Sequence, residues 1–498
     1  MFEFLALESP YWLTRFVILR LLGLVYFFAF LSLVKQVIPL LGKNGLTPAT
    51  LYLSQLKKQF KNKTEAVWNV PTIFWFGCSD SLLLFFAWSG VLLSFIVLIG
   101  YANVFILLAL WIIYLSFVHI GQVWYGYGWE SELLETGFVA LFLVPLFDPS
   151  PFSSFQAPVI VIWLLLWLTF RLHIGSGLIK LRADRCWKQG TCLFYHFETQ
   201  PIPNPCSPYF HFLPKTLLKI GVWYTHIIQL VVPWFLLIPG WPRVIAGIFL
   251  LLFQITLMIS GNLSFLNLIS IVAIIAAFND TFLQFVMPDV IIKKAAEAAT
   301  LQSTAVPYAA WIFAGVVVIL SIPVVKNLCS RYQYMNTSFN QFHLVNTYGA
   351  FGSVGKVRQE LVVKGTTDAK ITEKTVWKEY EFIAKPTNVK RKLPIIAPYQ
   401  PRIDWQIWFA AMQTPFENPW LIHFLWKLLH NDKRALSLIA ENPFPKQPPK
   451  HVMIDLYRYE FAPLKSTDVW KREYIGTWVG PFDKKRLEPY VRAILGKS

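Results

Sequence analysis

The feature that most constrains this chain is a series of long stretches without Asp, Glu, Lys or Arg. They lie at residues 81–129, 149–170, 220–242, 244–279 and 298–325. About 20 consecutive apolar residues cross the hydrocarbon core of a bilayer as a helix, so the longer stretches can each hold two helices. The sequence therefore predicts a polytopic α-helical membrane protein.

The boundaries of the stretches give nine predicted spans. We place them near residues 15–38, 82–99, 101–120, 133–148, 157–179, 219–238, 243–260, 262–286 and 307–326. The fourth is short and is also compatible with a re-entrant segment, so we expect eight or nine membrane helices within residues 1–329. Hydrophobic residues make up 55% of the chain and charged residues 15%. Soluble domains carry about 25% charged residues, which argues against an ordinary cytosolic enzyme.

Residues 330–498 have a different composition. They carry a net charge of +11, against +6 for residues 1–329. Such a basic balance favours solubility or attraction to anionic lipid headgroups. No nucleic-acid-binding motif accompanies it, so we expect membrane lipids, and not nucleic acid, among the partners.

Side-chain alternation indicates that residues 330–498 form a β-rich α+β domain docked against the bilayer. The predicted strands lie at 358–364, 377–384, 453–461 and 470–478, and the predicted short helices at 404–412, 419–429 and 433–440. The glycine-rich segment 349–355 predicts a hairpin. Trp405, Trp408 and Trp420 belong either to the core of this domain or to a surface that contacts the membrane or a client protein.

Ionisable residues at membrane depth are costly and usually face a bundle interior or a cavity. Glu130, Glu132 and Glu135 enter the fourth span, and Glu132 and Glu135 share a helix face. At the end of the fifth span a second stripe comprises His173, Gly177, Lys180 and Asp184. Residues 175–177 allow close approach of another backbone or a ligand.

Two interpretations of these residues stay open. In the first, Lys180 or Arg182 forms buried ion pairs with the three glutamates and holds the bundle together. In the second, Lys180 acts as a base, because desolvation favours its neutral amine, and His173, Glu130 or Glu135 completes the site.

The loop at residues 180–218 carries further candidates. They are Arg182, Asp184, Trp187, His196, Glu198, Gln200 and Asn204. Prolines 201, 203 and 205 predict an extended backbone, on which His196 and Glu198 could both point at one surface. Cys186 and Cys192 either form a disulfide or remain buried thiols. Cys and His residues do not recur at metal-ligand spacing and no nucleotide-binding or hydrolase motif is present, so we expect neither metal nor cofactor.

Several long strings rich in Trp, Asn and Pro resemble the lipase maturation factor family. They include Tyr127-Gly128-Trp129-Glu130, Phe170-Arg171-Leu172, Tyr195-His196-Phe197-Glu198-Thr199-Gln200-Pro201, Ser260-Gly261-Asn262-Leu263-Ser264, Arg402-Ile403-Asp404-Trp405 and Asn442-Pro443-Phe444. The resemblance extends from about Trp124 to the C-terminus. It implies a multi-pass, chaperone-like protein that helps secreted homodimeric lipases, or other secreted clients, to mature in the endoplasmic reticulum.

A weaker resemblance, to the membrane domain of the vitamin K-dependent gamma-carboxylase, rests on Gly177-Leu178-Ile179-Lys180-Leu181 with Trp187 and Gly190. It places the carboxylase's catalytic lysine on Lys180. The alternative function is therefore an intramembrane enzyme that uses Lys180 as a base on a lipid or quinone-like substrate.

The membrane and the side on which the tail lies are predicted only in part. Lysine- and arginine-rich loops after the first and fifth spans favour a cytoplasmic tail by the positive-inside rule. The family resemblance implies a luminal tail instead. We expect the endoplasmic reticulum membrane for a eukaryotic chain and the inner membrane for a bacterial one.

Overall fold

Nine helices occupy the positions of the nine predicted spans in the computed structural model, which describes residues 10–300 and 308–496. They are α1 (Trp12–Leu41), α2 (Asp80–Leu98), α3 (Val104–Ile120), α4 (Gly128–Ala140), α5 (Val159–Ala183), α6 (Lys215–Leu230), α7 (Trp241–Ser260), α8 (Leu266–Ile274) and α9 (Tyr308–Cys329). Residues 1–9, 301–307 and 497–498, parts of which belong to the predicted ninth span and to both predicted domains, lie outside the described residues.

Five of these helices, α1, α2, α5, α7 and α9, are long and apolar enough to cross a bilayer. The helix α3 matches its predicted span closely, whereas α4, α6 and α8 are shorter than theirs. Pro233 explains the end of α6, because it has no backbone N–H to continue the helix. Asp280 lies within the predicted eighth span, but its carboxylate caps α1 by accepting backbone N–H groups of Trp12, Leu13 and Thr14.

Shorter helical segments connect the nine helices. They are Ala49–Gln59, Lys63–Asn69, Ile73–Phe76, Gln122–Tyr125, Leu141–Leu143, Arg185–Lys188, Leu193–Thr199, Ser207–His211, Val232–Phe235, Ile275–Ala277, Asp280–Leu283 and Asp289–Thr300.

The outer faces of the bundle are apolar. Exposed large side chains include Phe85, Leu92 and Phe95 on α2, Ile248, Leu252 and Ile255 on α7, and Ile312, Val318 and Ile319 on α9. A soluble protein rarely exposes such continuous apolar surface, whereas a bilayer solvates it. The helical membrane region, followed by a β-containing tail, confirms the predicted fold class.

Close helix contacts occur where glycine removes a side chain. At Gly23 of α1, an added Cβ would lie 2.5 Å from the backbone nitrogen of Leu98, the last residue of α2. At Gly90 of α2, it would lie 2.3 Å from the ring of Phe30. Small residues of this kind let membrane helices approach within van der Waals contact.

The tail is built on an antiparallel four-stranded sheet with the order β2-β1-β5-β6. The strands are β1 (Arg358–Thr366), β2 (Lys378–Glu379), β3 (Glu381–Phe382), β4 (Ile439–Glu441), β5 (His451–Phe461) and β6 (Trp470–Phe482), with β3 and β4 forming a separate pair. The helices are α10 (Arg402–Ala410), α11 (Pro419–Leu428) and α12 (Lys484–Ile494), with short turns at Pro415–Glu417 and Lys433–Leu436.

Most predicted tail elements are present. The strand predictions match β1, β5 and β6, and residues 377–384 contain the short strands β2 and β3. The helix predicted at 433–440 ends at Leu436, because the chain then enters β4. The predicted hairpin at 349–355 is wrong, since this segment is an irregular loop. The helix α12 was not predicted from the sequence.

Asp404 fixes α10 to the end of β3. Its Oδ1 atom accepts the backbone N–H groups of Ala384 at 2.6 Å and Lys385 at 2.8 Å. Burial raises the pKa of this carboxyl to about 6, although both N–H groups favour the ionised form. Ionisation of Asp404 therefore destabilises the folded state, whereas the protonated form does not.

We expect the free energy of unfolding to fall as the pH rises from about 4, where unfolded Asp titrates, to about 6. Asp404→Asn keeps the Oδ1 acceptor and cannot ionise. The variant should thus gain stability relative to wild type across this window, by an amount on the order of 2–3 kcal/mol. Thermal unfolding of the detergent-purified chain from pH 4 to 7.5 measures this gain.

Asp404→Ala is the matched variant. It removes the acceptor for two buried N–H groups and should be destabilised at every pH, by roughly 1–3 kcal/mol. A constant difference between Asp404→Asn and wild type from pH 4 to 7.5 would contradict the assignment.

Candidate functional site

The three glutamates of α4 are all buried, and each has a different partner. Glu130 accepts a hydrogen bond from the Tyr114 hydroxyl and pairs with Arg402 of α10, whose Nη1 atom lies 2.8 Å from its Oε1. The Arg402 guanidinium also lies over the Tyr125 ring at 3.5 Å. This ion pair is fully shielded from solvent and joins the bundle to the tail.

Glu135 forms a second buried ion pair, with Arg171 of α5. It also accepts hydrogen bonds from the Tyr348 hydroxyl at 2.7 Å and from the side chain and backbone of Asn346. The prediction that Lys180 or Arg182 pairs with the glutamates is therefore wrong in its partners. Arginines fill that role because the guanidinium fork can satisfy a carboxylate and a neighbouring carbonyl together, as Arg171 does with the Asn346 carbonyl.

Lys180 occupies a different environment. Its ammonium donates to the Ser176 carbonyl at 3.1 Å and to the Ala350 carbonyl at 2.8 Å, and it lies 5.3 Å from the Trp187 ring centroid. Within the described part of the chain, it forms no ion pair with a carboxylate. The side chain is 4% exposed.

A chain of neutral polar groups continues from the face of α5 into α7 and α8. His173 bonds the Thr169 carbonyl through Nδ1 and lies 3.4 Å from the amide of Gln254, which accepts from Asn267 at 2.8 Å. Ser270 donates to Glu132 at 2.9 Å. Thus His173 and Lys180 share the buried face of α5, while Glu130 and Glu135 are held in separate ion pairs.

The small residues of α5 allow the close approach that the sequence predicts. The Tyr348 carbonyl lies 2.5 Å from the ideal Cβ position of Gly175, and the Leu230 side chain lies 2.6 Å from that of Gly177. The segment that follows α9 is therefore pressed directly against α5.

The start of the predicted functional loop packs against the same segment. Arg182 donates to the Gln333 side chain at 2.6 Å and to the Leu328 carbonyl at 2.8 Å. Asp184 caps the turn Arg185–Lys188 by accepting the Cys186 N–H, and the Trp187 indole donates to the Phe351 carbonyl at 2.9 Å. Cys186 and Cys192 form a disulfide.

The predicted extended backbone around His196 and Glu198 is wrong. Residues Leu193–Thr199 form a helix, because the prolines begin only at Pro201 and leave the preceding hydrogen bonds intact. Glu198 accepts the Phe461 N–H at 2.7 Å, and burial raises the pKa of its carboxyl. His196 is buried against the Phe351 ring.

The proline-rich segment is held by polar side chains from both sides. Gln200 donates to the Ser260 carbonyl at 2.9 Å, and Asn204 donates to the Ile259 carbonyl at 2.9 Å, so both fix the loop to the end of α7. From the tail, Arg358 donates to the carbonyls of Glu198, Gln200 and Pro201.

Two of the three tryptophans do not form a membrane or client surface. Trp405 and Trp420 are 4% and 3% exposed, and they pack against Trp129 and Trp124 of the bundle. Trp408 is half-buried and donates to the Thr199 carbonyl at 3.1 Å. The surface prediction is wrong for Trp405 and Trp420, because the face of α10 and α11 that carries them is covered by the membrane region.

The residues that join the tail to the bundle were not all predicted from the sequence. Arg402 and Arg358 are almost completely buried. The only sequence feature that indicates this is the apolar residues beside them. Asn262 accepts the backbone N–H of Ile396, and Gln36 accepts that of Arg402. Nothing in the local sequence distinguishes these two amides from ordinary polar residues.

The architecture defines a class: a polytopic membrane protein whose helical bundle is joined through buried ion pairs and amides to an α+β tail. Comparison with known proteins narrows the class. The lipase maturation factor transmembrane domain matches residues 13–285, and the lipase maturation factor C-terminal domain matches residues 344–480. The chain belongs to the lipase maturation factor family.

Individual relatives cover nearly the whole chain. Human lipase maturation factor 1 is 40% identical over 97% of this chain and 90% of its own length, and the mouse protein is 40% identical over 97% and 89%. Lipase maturation factor 2 of Xenopus laevis is 29% identical over 91% of this chain and 80% of its own length. No solved structure matches the chain.

We expect the Glu130–Arg402 ion pair to contribute strongly to the free energy that holds the tail against the bundle. Arg402→Met leaves a buried carboxylate without its cation, which typically costs about 3–5 kcal/mol. Additional Glu130→Gln removes that charge and should recover much of the loss. Thermal unfolding of the purified full-length chain and the rate of proteolytic cleavage of the tail measure both effects.

Arg434 provides the matched control, because it also joins tail to bundle, at 3.0 Å from Asp80, but the pair is partly exposed. Arg434→Ala should change stability by about 1 kcal/mol or less. Equal effects of Arg402→Met and Arg434→Ala would rule out a special role for the buried pair.

Proposed function

We propose that this protein is a non-enzymatic, membrane-embedded factor that assists folding and assembly of secreted lipases. The observation that carries the proposal is the similarity to lipase maturation factors across both the bundle and the tail. Residues 1–329 form its membrane domain and residues 330–498 its client-facing domain. By holding incompletely assembled lipase, it shifts the client population toward the assembly-competent state.

The contacts of the acid–base candidates support a scaffold. Glu130 and Glu135 each bind an arginine, and His173 bonds a backbone carbonyl of its own helix. These side chains hold helices and tail in place and do not converge with Lys180 on one reacting point. The proposal therefore favours a structural role for them over the intramembrane-enzyme alternative.

The tail offers a suitable surface for a client. Phe416 is 93% exposed and Ile395 is 80% exposed, and Val376, Met412 and Tyr474 also present apolar area to solvent. A half-assembled lipase exposes apolar surface of its own, which such side chains can cover. Because α10 is fixed to the bundle, this surface stays close to the membrane.

We further propose that the tail lies on the luminal side of the endoplasmic reticulum membrane. The loop with the Cys186–Cys192 disulfide packs on residues 351–354, through Trp187 and Asp184, so loop and tail share one side. Disulfides persist in oxidising compartments. This argument supports the orientation that the family resemblance implies over the one that the charge rule favours.

The sidedness can be measured at Cys206, an exposed free cysteine of the same loop. In a Cys78→Ser, Cys329→Ser background, a membrane-impermeant maleimide should label Cys206 only after microsomes are permeabilised. Labelling of intact microsomes would place the loop in the cytoplasm and contradict the luminal orientation. Cys206→Ser provides the background signal.

For the function itself, we expect the chain to restore active lipase secretion in cells that lack their own lipase maturation factors. Specific activity of the secreted lipase should rise severalfold with wild type and with Arg434→Ala, and much less with Arg402→Met. The intact mass of the lipase should not depend on the chain, because no covalent step is involved. A chain-dependent mass change, or no rescue by well-expressed wild type, would overturn the proposal.

A further inference from the structure

Two neighbouring cavities lie where α5, α6 and α7 meet the segment at residues 349–353. The larger has a volume of about 380 Å³ and the smaller about 200 Å³. They share wall residues, among them Gln229, Phe253, Leu257 and Phe351. Together they reach the size range of small-molecule binding sites, and aromatic and aliphatic side chains dominate their walls.

The smaller cavity contains a buried amine for which the described residues provide no carboxylate partner. Lys180 lines this cavity, and its two protein hydrogen bonds go to the uncharged carbonyls of Ser176 and Ala350. An ammonium has three N–H donors, so one remains. Buried charges are normally paired, and every other buried cation discussed above, Arg171, Arg358 and Arg402, has a carboxylate partner. Lys180 differs from these three arginines, because it has no carboxylate partner within the described residues.

A second polar group at the same place lacks a partner. Gln229 lines both cavities, it is 6% exposed, and its Oε1 atom is buried without a hydrogen bond to any described residue. Because this oxygen makes no hydrogen bond, rotating the side-chain amide by half a turn breaks no bond to it. The rotation places an N–H donor at the position of the oxygen. Lys180 and Gln229 are therefore two independent groups in this cavity that can form hydrogen bonds to a ligand.

The smaller cavity reaches the surface near the start of α6. Its wall includes Leu213 and Leu217, which are 37% and 50% exposed, and Tyr224 and Thr256 on the facing sides of α6 and α7. The outer faces of these two helices are apolar, with Ile220 and Ile255 exposed. An apolar chain bound in this cavity can thus reach the surface beside Leu213 and Leu217.

We propose that this site binds a single-chain anionic lipid, specifically a long-chain fatty acid. The carboxylate sits between the Lys180 ammonium and the Gln229 amide, and the acyl chain follows the apolar walls toward the exposed side chains of Leu213 and Leu217. A carboxylate supplies the missing charge, and one acyl chain suits a narrow opening better than two. Fatty acids are also products of lipid-ester hydrolysis, although the link to a lipase client rests on the proposed function.

Binding of oleic acid to the full-length chain in nanodiscs tests the site. Equilibrium dialysis with radiolabelled oleate should show one saturable site in wild type. Lys180→Met should weaken it by about tenfold or more, because it removes the charge-assisted hydrogen bond. Gln229→Leu should weaken it less. Lys188→Met, at an exposed position of the same loop, should bind as wild type does.

Three further measurements keep the result unambiguous. Lys180→Met should unfold at or above the wild-type temperature, because an unpaired buried cation is replaced by an apolar side chain of similar length. Oleate should raise the unfolding temperature of wild type and not that of Lys180→Met. Oleyl alcohol, which has the same chain without the charge, should compete poorly.

Equal oleate affinity in wild type and Lys180→Met, or oleyl alcohol binding as tightly as oleate, would overturn the proposal. Preferential binding of a lysophosphatidate would overturn the fatty-acid assignment in favour of a phosphate headgroup. None of these measurements includes a lipase, so failure here leaves the proposed function untouched. Failure of lipase rescue would likewise leave the binding result standing.

Discussion

Neutralisation of buried carboxylates is the constraint on which the rest of the structure depends. Glu130 and Glu135 lie on the short helix α4, inside a bundle where an unpaired charge is strongly unfavourable. One is neutralised by Arg171 of the bundle and the other by Arg402 of the tail. The membrane domain thus does not itself provide the positive charge that neutralises Glu130. The tail provides this charge through Arg402.

This dependence explains which elements could be predicted from sequence. Membrane helices follow from long charge-free runs, and strands β1, β5 and β6 follow from alternation, since both patterns are local. The lengths of the helices were predicted less accurately where a residue contacts a partner that is distant in the sequence. The predicted eighth span runs past Asp280, which caps α1 instead, and the sequence around Asp280 carries no sign of a partner 268 residues away.

The site was predictable in composition but not in pairing. The buried glutamates, His173, Lys180 and the disulfide loop were recognisable as polar groups in an apolar setting. Their partners were not, because Arg402 is 272 residues from Glu130 and no periodicity links them. For the same reason the tryptophans of α10 and α11 suggested a surface. An aromatic helix face indicates burial, but whether lipid, client or bundle covers it depends on tertiary structure.

The contrast between arginine and lysine then separates structure from candidate ligand binding. Arg171 and Arg402 each reach a carboxylate and a backbone carbonyl at once, so their charges are used up in holding helices together. Lys180 receives only carbonyl oxygens and borders a cavity beside the unpartnered amide of Gln229. If burial of Lys180 served packing alone, an apolar side chain of the same length would serve better. An anion that enters from the membrane would provide the charge partner that the Lys180 ammonium lacks among the described residues.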